Sequence, residues 1–206
     1  MRIRSVLAPA AAVLAIAVAG CGSSSSSSSS PAASPGAGQA KAVNPNGPEV
    51  NPAGDIPDNQ AYVAYSPPGG AYSVKVPEGW ARTAAGGAVT FTDKLNSVRM
   101  EALPARAALT AADATSTVVP KLAGSVPHFK LDKVSTVSRT AGPAIRITYA
   151  AQSPADPVTG KTRTTAVERY AFFHKGRNVV LTLSGPKGAD NVDPWKIVTD
   201  SLRFMR

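Results

Sequence analysis

Few side chains in this 206-residue sequence could carry out covalent or metal chemistry. Cys21 is the single cysteine, and His128 and His174 are the two histidines. A disulfide within the chain is therefore excluded, and a zinc site of cysteine and histidine could use at most three ligands. No catalytic residue, metal site or cofactor motif is predicted.

The beginning of the sequence predicts an export signal that ends at Cys21. Arg2 and Arg4 precede an apolar run over residues 6–19, which is the charge and hydropathy order of a secretory signal. The segment Val18-Ala19-Gly20-Cys21 resembles the lipobox of bacterial lipoproteins. That resemblance implies cleavage between Gly20 and Cys21 and acylation of the Cys21 thiol, with palmitate-type chains. Two or three acyl chains would hold the protein stably on the outer face of the plasma membrane.

Two alternatives remain open for this N-terminal region. Residues 1–20 could be a simple secretory signal followed by a free or buried cysteine. Residues 21–60 contain an unbroken serine run, Ser23–Ser30, and few large apolar side chains, so we expect a disordered linker. This linker could lift the folded part off the bilayer, or it could be a glycosylated or partner-binding stalk.

Residues 61–206 carry the patterns of a folded domain. Apolar and polar residues alternate in several short segments separated by turn signals, which predicts antiparallel strands. Lys175-Gly176 suits a tight hairpin, because glycine adopts a positive φ without strain. The predicted strands cover approximately residues 62–65, 72–76, 89–91, 98–102, 129–138, 144–152, 162–173 and 179–184.

Two helices are predicted in this domain. The first covers residues 110–122, with Thr110 as its N-cap and Pro120 as the residue that kinks or ends it. The second begins with Asp193 as N-cap and Pro194 as its first residue. Its helical spacing predicts one buried stripe, made of Trp195, Val198, Leu202 and Met205.

The segment Tyr72-Ser73-Val74-Lys75-Val76-Pro77-Glu78-Gly79-Trp80 resembles an entry strand of the Mog1/PsbP-like superfamily. Residues 183–195, which lead into the last helix, fit the same resemblance. The chain therefore resembles actinobacterial envelope lipoproteins that carry this domain. The resemblance implies an α+β sandwich, with helices packed on an antiparallel sheet, and a non-catalytic binding or assembly module. Pro77, Gly79 and Trp80 have structural roles in this interpretation: they end the strand, bend the chain and cover a sheet end.

Other chemistry is disfavoured by the sequence. Gly160-Lys161-Thr162 lacks the first glycine of a phosphate-binding loop, since Ala155 occupies that position, and a strand follows it. No nucleophile-elbow motif occurs. His174 is best interpreted as a solvated turn residue and His128 as a surface or edge residue.

The formal net charge of +9 suggests an anionic partner. Nucleic acid is excluded as a partner by the predicted export, which leaves membrane headgroups, an acidic wall polymer or an envelope protein. A scattered, solubilising surface is the alternative. Arg163, Arg169, Lys175 and Arg177 lie along one predicted hairpin, where clustering can be checked.

Three functions are compatible with the sequence. The first is a lipid-anchored binding or accessory module of the cell envelope, with a pocket between sheet and helix. The second is a structural protein that docks through a sheet edge or a basic patch. The third, an envelope hydrolase, would require a cluster of titratable residues in a cleft.

Overall fold

The computed structural model describes residues 53–156 and 158–205, so the predicted signal, Cys21 and most of the linker lie outside the described residues. None of the helices in the described part is long and apolar enough to cross a membrane. The strands are β1 Tyr62–Tyr65, β2 Tyr72–Pro77, β3 Ala81–Ala85, β4 Ala88–Asp93, β5 Asn96–Pro104, β6 Lys130–Arg139, β7 Gly142–Gln152, β8 Thr164–His174, β9 Arg177–Pro186 and β10 Arg203–Phe204. The helices are α1 Ala111–Asp113, a π-helical turn Ala114–Val118, α2 Val119–Ser125 and α3 Val192–Asp200.

The strands form two antiparallel sheets. The large sheet has seven strands in the order β3-β4-β5-β9-β8-β7-β6, and the small sheet has the order β1-β2-β10. Strands β8 and β9 are joined by Lys175 and Gly176, whose φ angles are 43° and 75°. Positive φ at both central residues matches the twist of antiparallel strands. The predicted tight hairpin and the predicted α+β architecture are confirmed.

One face of the large sheet carries the main hydrophobic core. Leu181 and Leu183 of β9 are fully buried on this face. Val74 of β2, Val198 of α3 and Leu202, which follows α3, pack against them from the other side. Each buried aliphatic side chain contributes about 1.5–3 kcal/mol, so this layer holds the small sheet and α3 on the large sheet.

The opposite face of the large sheet is covered by helices on one half. The segment from α1 to α2 packs on β7 and β8, where Ile145, Ile147, Tyr149 and Val167 are buried together with Ala114. These apolar residues belong to the half of the sheet formed by β6, β7 and β8. The other half is formed by β4, β5 and β9, which turn polar side chains to the same face.

The first helical segment continues past Pro120 and ends at Ser125, three residues beyond the predicted end at residue 122. Thr110 forms the predicted N-cap, since its hydroxyl accepts a hydrogen bond from the Asp113 amide at 3.1 Å. Proline cannot donate a backbone hydrogen bond, and its ring crowds the carbonyl four residues before it. The π-helical turn immediately before α2 absorbs this conflict. The helix therefore widens ahead of the proline and ends at Ser125.

The last helix begins two residues earlier than predicted. Its N-cap residue is Asn191, which makes no side-chain cap, and Asp193 lies in the first turn. Trp195, Val198 and Leu202 are buried as expected, but Met205 is 47% exposed. Met205 follows β10, outside the helix, so the helical spacing does not apply to it.

Part of the predicted linker is packed against the domain. Ile56 is buried in the main core, and its backbone amide donates a hydrogen bond to the side-chain oxygen of Asn191 at 2.8 Å. Asn96 and Asn191 both donate side-chain hydrogen bonds to the Gly54 carbonyl. Residues 53–60 precede the boundary predicted at residue 61, and they include one of the core side chains.

Candidate ligand-binding groove

The polar half of the large sheet presents an ordered array of hydroxyl and charged groups. Strand pairing places Thr90, Arg99 and Thr182 in one cross-strand row. The next row contains Thr92, Ser97 and Ser184. Each strand has its apolar side chains in the main core, and period-two alternation therefore sends the polar ones to this face. The result is a flat floor rich in hydrogen-bonding groups.

A groove of about 610 Å³ lies on this floor. Its walls are Val126, the residue after α2, and the described residues of the loop that joins β7 to β8, which are 153–156 and 158–163. This volume falls in the range of small-molecule binding sites. The side chains at the floor include the hydroxyl groups of Thr90, Thr92, Ser97, Thr165, Thr182 and Ser184.

The groove has one apolar side, next to the helix-covered half of the sheet. Tyr149, Ala151 and Val167 are buried there. The ring centroids of Phe129 and Tyr149 lie 4.9 Å apart, and this contact fixes the position of the Tyr149 ring. Burial raises the pKa of Tyr149, so its phenol stays neutral at physiological pH. A ligand in the groove would contact an apolar wall on one side and hydroxyl groups on the other.

A charged network lies on the floor beside the groove. Arg99 donates two hydrogen bonds to the Glu101 carboxylate, at 2.7 and 2.9 Å, and Arg169 donates a third at 3.3 Å. Arg169 also donates to the Thr182 hydroxyl at 3.0 Å. Burial alone would raise the pKa of Glu101, but the hydrogen bonds and charges of the two arginines outweigh burial and lower it. One carboxylate with two guanidinium groups leaves one positive charge on the floor.

The loop at the mouth of the groove is held by its own aspartate. The Asp156 carboxylate accepts hydrogen bonds from the amides of Thr159 and Val158 and from the Thr159 hydroxyl, at 2.7, 3.0 and 2.9 Å. These bonds lower the pKa of Asp156, chiefly through the Thr159 amide. The loop presents Lys161 and Arg163 as exposed side chains at the mouth.

The floor hydroxyls are also linked to each other. The Ser97 and Ser184 hydroxyl oxygens lie 2.7 Å apart and share one hydrogen bond across β5 and β9. Each hydroxyl can make further bonds, because it has two acceptor lone pairs and one donor. The floor can therefore exchange hydrogen bonds with a ligand that carries several hydroxyl or oxyanion groups.

Comparison with solved structures identifies the fold. No family model matches the sequence, and no curated protein sequence matches it. The solution structure of the cyanobacterial PsbP of Synechocystis sp. PCC 6803 is similar over 71% of this chain and 94% of that one, with 14% identity and a TM-score of 0.51. The fold is Mog1/PsbP-like. The fold class predicted from the sequence is therefore confirmed.

Three further solved structures have lower TM-scores. The Ran-binding protein Mog1p of Saccharomyces cerevisiae is 11% identical over 70% of this chain and 96% of its own, with a TM-score of 0.48. LpqN of Mycobacterium tuberculosis, described as involved in cell envelope biogenesis, is 14% identical over 72% of this chain and 87% of its own, with a TM-score of 0.38. A Bacteroides thetaiotaomicron protein, 14% identical with a TM-score of 0.44, is matched over 69% of this chain and 48% of its own length.

The two histidines lie in different parts of the described structure. His174 stacks on Phe204, with 4.2 Å between ring centroids, and is partly buried rather than solvated. His128 is exposed in the turn after α2. No group of three histidine, cysteine or acidic side chains in the described ranges could hold a metal ion. Gly20 and Cys21 lie outside the described residues, so processing and lipidation stay predictions.

The basic residues along the predicted hairpin do not form one patch. Arg163 is at the mouth of the groove, and Arg169 is bound to Glu101 beside the groove. Lys175 and Arg177 are at the opposite end of β8, which spans eleven residues, or about 35 Å. Arg163 is therefore the one of these four residues that lines the groove.

Proposed function

We propose that this chain is a lipid-anchored, non-catalytic binding module on the outer face of the plasma membrane, and that it holds its ligand in the groove of the large sheet. The groove is the observation that carries the binding function. It combines a volume suited to a small molecule, an apolar wall and several convergent hydroxyl groups. The predicted acylation of Cys21 supplies the membrane anchor, and the predicted linker allows the domain to stand away from the bilayer.

Binding without catalysis fits the state of the two carboxylates near the groove. A general base works best when its carboxylate is free and its pKa lies near the working pH. Glu101 is instead occupied by two arginines, and Asp156 by the amides of its own loop. Both pKa values are lowered, which moves these groups away from proton transfer at neutral pH.

Filling the groove should remove its ligand. We expect the Ser184→Trp variant to lose a small molecule that co-purifies with the full chain from the organism that encodes it, because an indole at this position would occupy the floor. Native mass spectrometry of the wild-type and variant chains measures the bound mass. Ser66→Trp, on an exposed loop residue, is the matched control and should retain it.

A second groove variant protects this test against a folding defect. Thr92 lies on β4, near the edge of the large sheet, and its replacement by tryptophan would fill the same floor. Thr92→Trp should therefore also lose the bound small molecule. Thermal melting of each variant checks that the domain remains folded. Retention of the same bound mass by both folded variants would show that the groove is not the binding site.

Removing the thiol should release the protein from the membrane. We expect Cys21→Ser to leave the melting temperature unchanged and to release the protein to the soluble fraction or leave its leader uncleaved, since serine is not acylated in this pathway. Ser30→Ala, in the same serine-rich segment, is the control and should fractionate as the wild type. Equal membrane recovery of the Cys21→Ser and wild-type chains, with the leader cleaved from both, would rule out the lipid anchor.

A further inference from the structure

The groove is bordered by more cations than anions. Lys94, in the turn between β4 and β5, lines it, and Lys161 and Arg163 stand at its mouth. Asp156 is the acidic residue among the lining side chains, and its carboxylate is directed to its own loop amides. The groove is therefore lined by three cationic side chains and by one carboxylate, which is already hydrogen-bonded to its own loop.

The floor adds to this excess of positive charge. Glu101 is shared by Arg99 and Arg169, so the network keeps a net positive charge. Arg99 does not line the groove, and both of its terminal nitrogens donate to Glu101. Its side chain is 39% exposed and lies between Thr90 and Thr182, which both line the groove. Guanidinium and hydroxyl donors together suit phosphate oxygens, which accept several hydrogen bonds at once.

The remainder of the groove suits a polyol. Six hydroxyl-bearing side chains on the floor can exchange hydrogen bonds with ligand hydroxyls. The buried Tyr149 and Val167 side chains provide an apolar surface for the carbon chain. We propose that the groove binds a phosphorylated polyol, with its phosphate between the basic mouth and the Arg99 side of the floor and its hydroxyls on the threonine and serine rows.

This proposal rests on the proposed function, because it names the ligand class of the same groove. The phosphate could belong to a free polyol phosphate or to the headgroup of a glycerophospholipid. Both share a phosphate attached to a hydroxyl-bearing carbon chain. The two sources differ in whether a bilayer surface must reach the groove.

The test uses the full chain with Cys21→Ser, which has no acyl chain of its own to insert into vesicles. Isothermal titration calorimetry compares glycerol 1-phosphate with glycerol and with inorganic phosphate. We expect glycerol 1-phosphate to bind at least tenfold more tightly than either of the others. The affinity should fall as salt rises from 50 to 500 mM, since the charged mouth is exposed.

The double variant Lys161→Gln/Arg163→Gln should weaken the binding of glycerol 1-phosphate at least tenfold. Arg177→Gln/Lys196→Gln removes the same two charges from exposed positions outside the groove and should leave the affinity unchanged. Competition by phosphatidylglycerol vesicles, absent with phosphatidylcholine vesicles, would identify the headgroup as the source. Binding of glycerol 1-phosphate that vesicles do not affect would identify the free polyol phosphate.

Three results would overturn this inference. Equal affinity for glycerol and glycerol 1-phosphate would remove the anionic requirement. Equal affinity for inorganic phosphate would show an adventitious ion only. No saturable binding of any probe would reject the ligand class. In each case the co-purification experiment with Ser184→Trp decides separately whether the groove binds a ligand at all, so failure of the inference remains distinguishable from failure of the proposed function.

Discussion

Replacement of Asn191 by alanine should lower the free energy of unfolding by about 3 kcal/mol. The Asn191 side chain is buried, accepts a hydrogen bond from the Ile56 amide at 2.8 Å, and donates to Asn96 Oδ1 and the Gly54 carbonyl, both at 3.1 Å. Alanine would leave the Ile56 amide and the Asn96 oxygen without these partners. Each unsatisfied buried group costs about 1–3 kcal/mol.

Urea denaturation of the full chain measures this change, and limited proteolysis reports whether residues 53–56 detach first. Asn59→Ala is the matched control, because Asn59 is exposed on the loop that follows this segment. We expect the control to change the stability by less than about 0.5 kcal/mol. An Asn191→Ala chain as stable as the control would mean that the asparagine does not hold the segment.

Replacement of Gly185 by alanine should destabilise the domain by about 2 to 3 kcal/mol. A Cβ atom at this position would lie 2.5 Å from Asn96 Oδ1 and 2.7 Å from Asn191 Nδ2. Both asparagines are buried, so they cannot move aside without breaking their hydrogen bonds to Gly54 and Ile56. The cost arises from overpacking and from hydrogen bonds that lengthen.

Gly124→Ala is the matched control for this substitution. Gly124 lies in α2, and a Cβ there would meet nothing within 4 Å. Alanine is the better helix former, so this control should raise the stability by about 0.5–1 kcal/mol. Chemical denaturation of the two variants should therefore give changes of opposite sign. A Gly185→Ala variant with unaltered stability would show that the asparagine pair has room to relax.

The sequence predicts the strands that bury one face, because their apolar and polar residues alternate. The strands around Val74, Val98 and Leu181 alternate clearly and were placed within a few residues of their observed bounds. Strand β3, Ala81–Ala85, is not predicted from the sequence. All five of its residues are exposed, so it lacks the alternation of apolar and polar residues that indicates a strand. It forms through backbone pairing with β4, and side-chain patterns do not record such pairing.

The beginning of the domain and the cap of α3 depend on one long-range contact. Composition alone assigns residues 53–60 to the linker, since glycine, proline and polar residues dominate there. Asn191 lies 135 residues from Ile56 in the sequence, and no local signal reveals their hydrogen bond. Asp193 and Asn191 are about equally good N-cap residues. Asn191 occupies the N-cap, but its side chain bonds to Ile56 instead of capping the helix.

Only part of the groove can be predicted from the sequence. Thr90, Thr92 and Arg99 alternate with apolar residues, which places them on one face of their strands. Their convergence with Thr182 and Ser184 requires the strand order β4-β5-β9, in which β5 and β9 are distant in sequence. The gap left by the helices on that face could not be inferred from strand patterns either. The signal in the sequence is that polar residues alternate with apolar ones in strands that pair with each other in the large sheet.

The contact between Ile56 and Asn191 also determines the path of a mechanical load through the domain. A force applied to the chain before residue 53 would first meet the hydrogen bonds at Gly54 and Ile56, and then strand β1. Strand β1 is an edge strand paired with β2 alone, so it would separate before the seven-stranded sheet is stretched. When the chain is pulled from its N-terminal side, we therefore expect the small sheet to yield before the seven-stranded sheet.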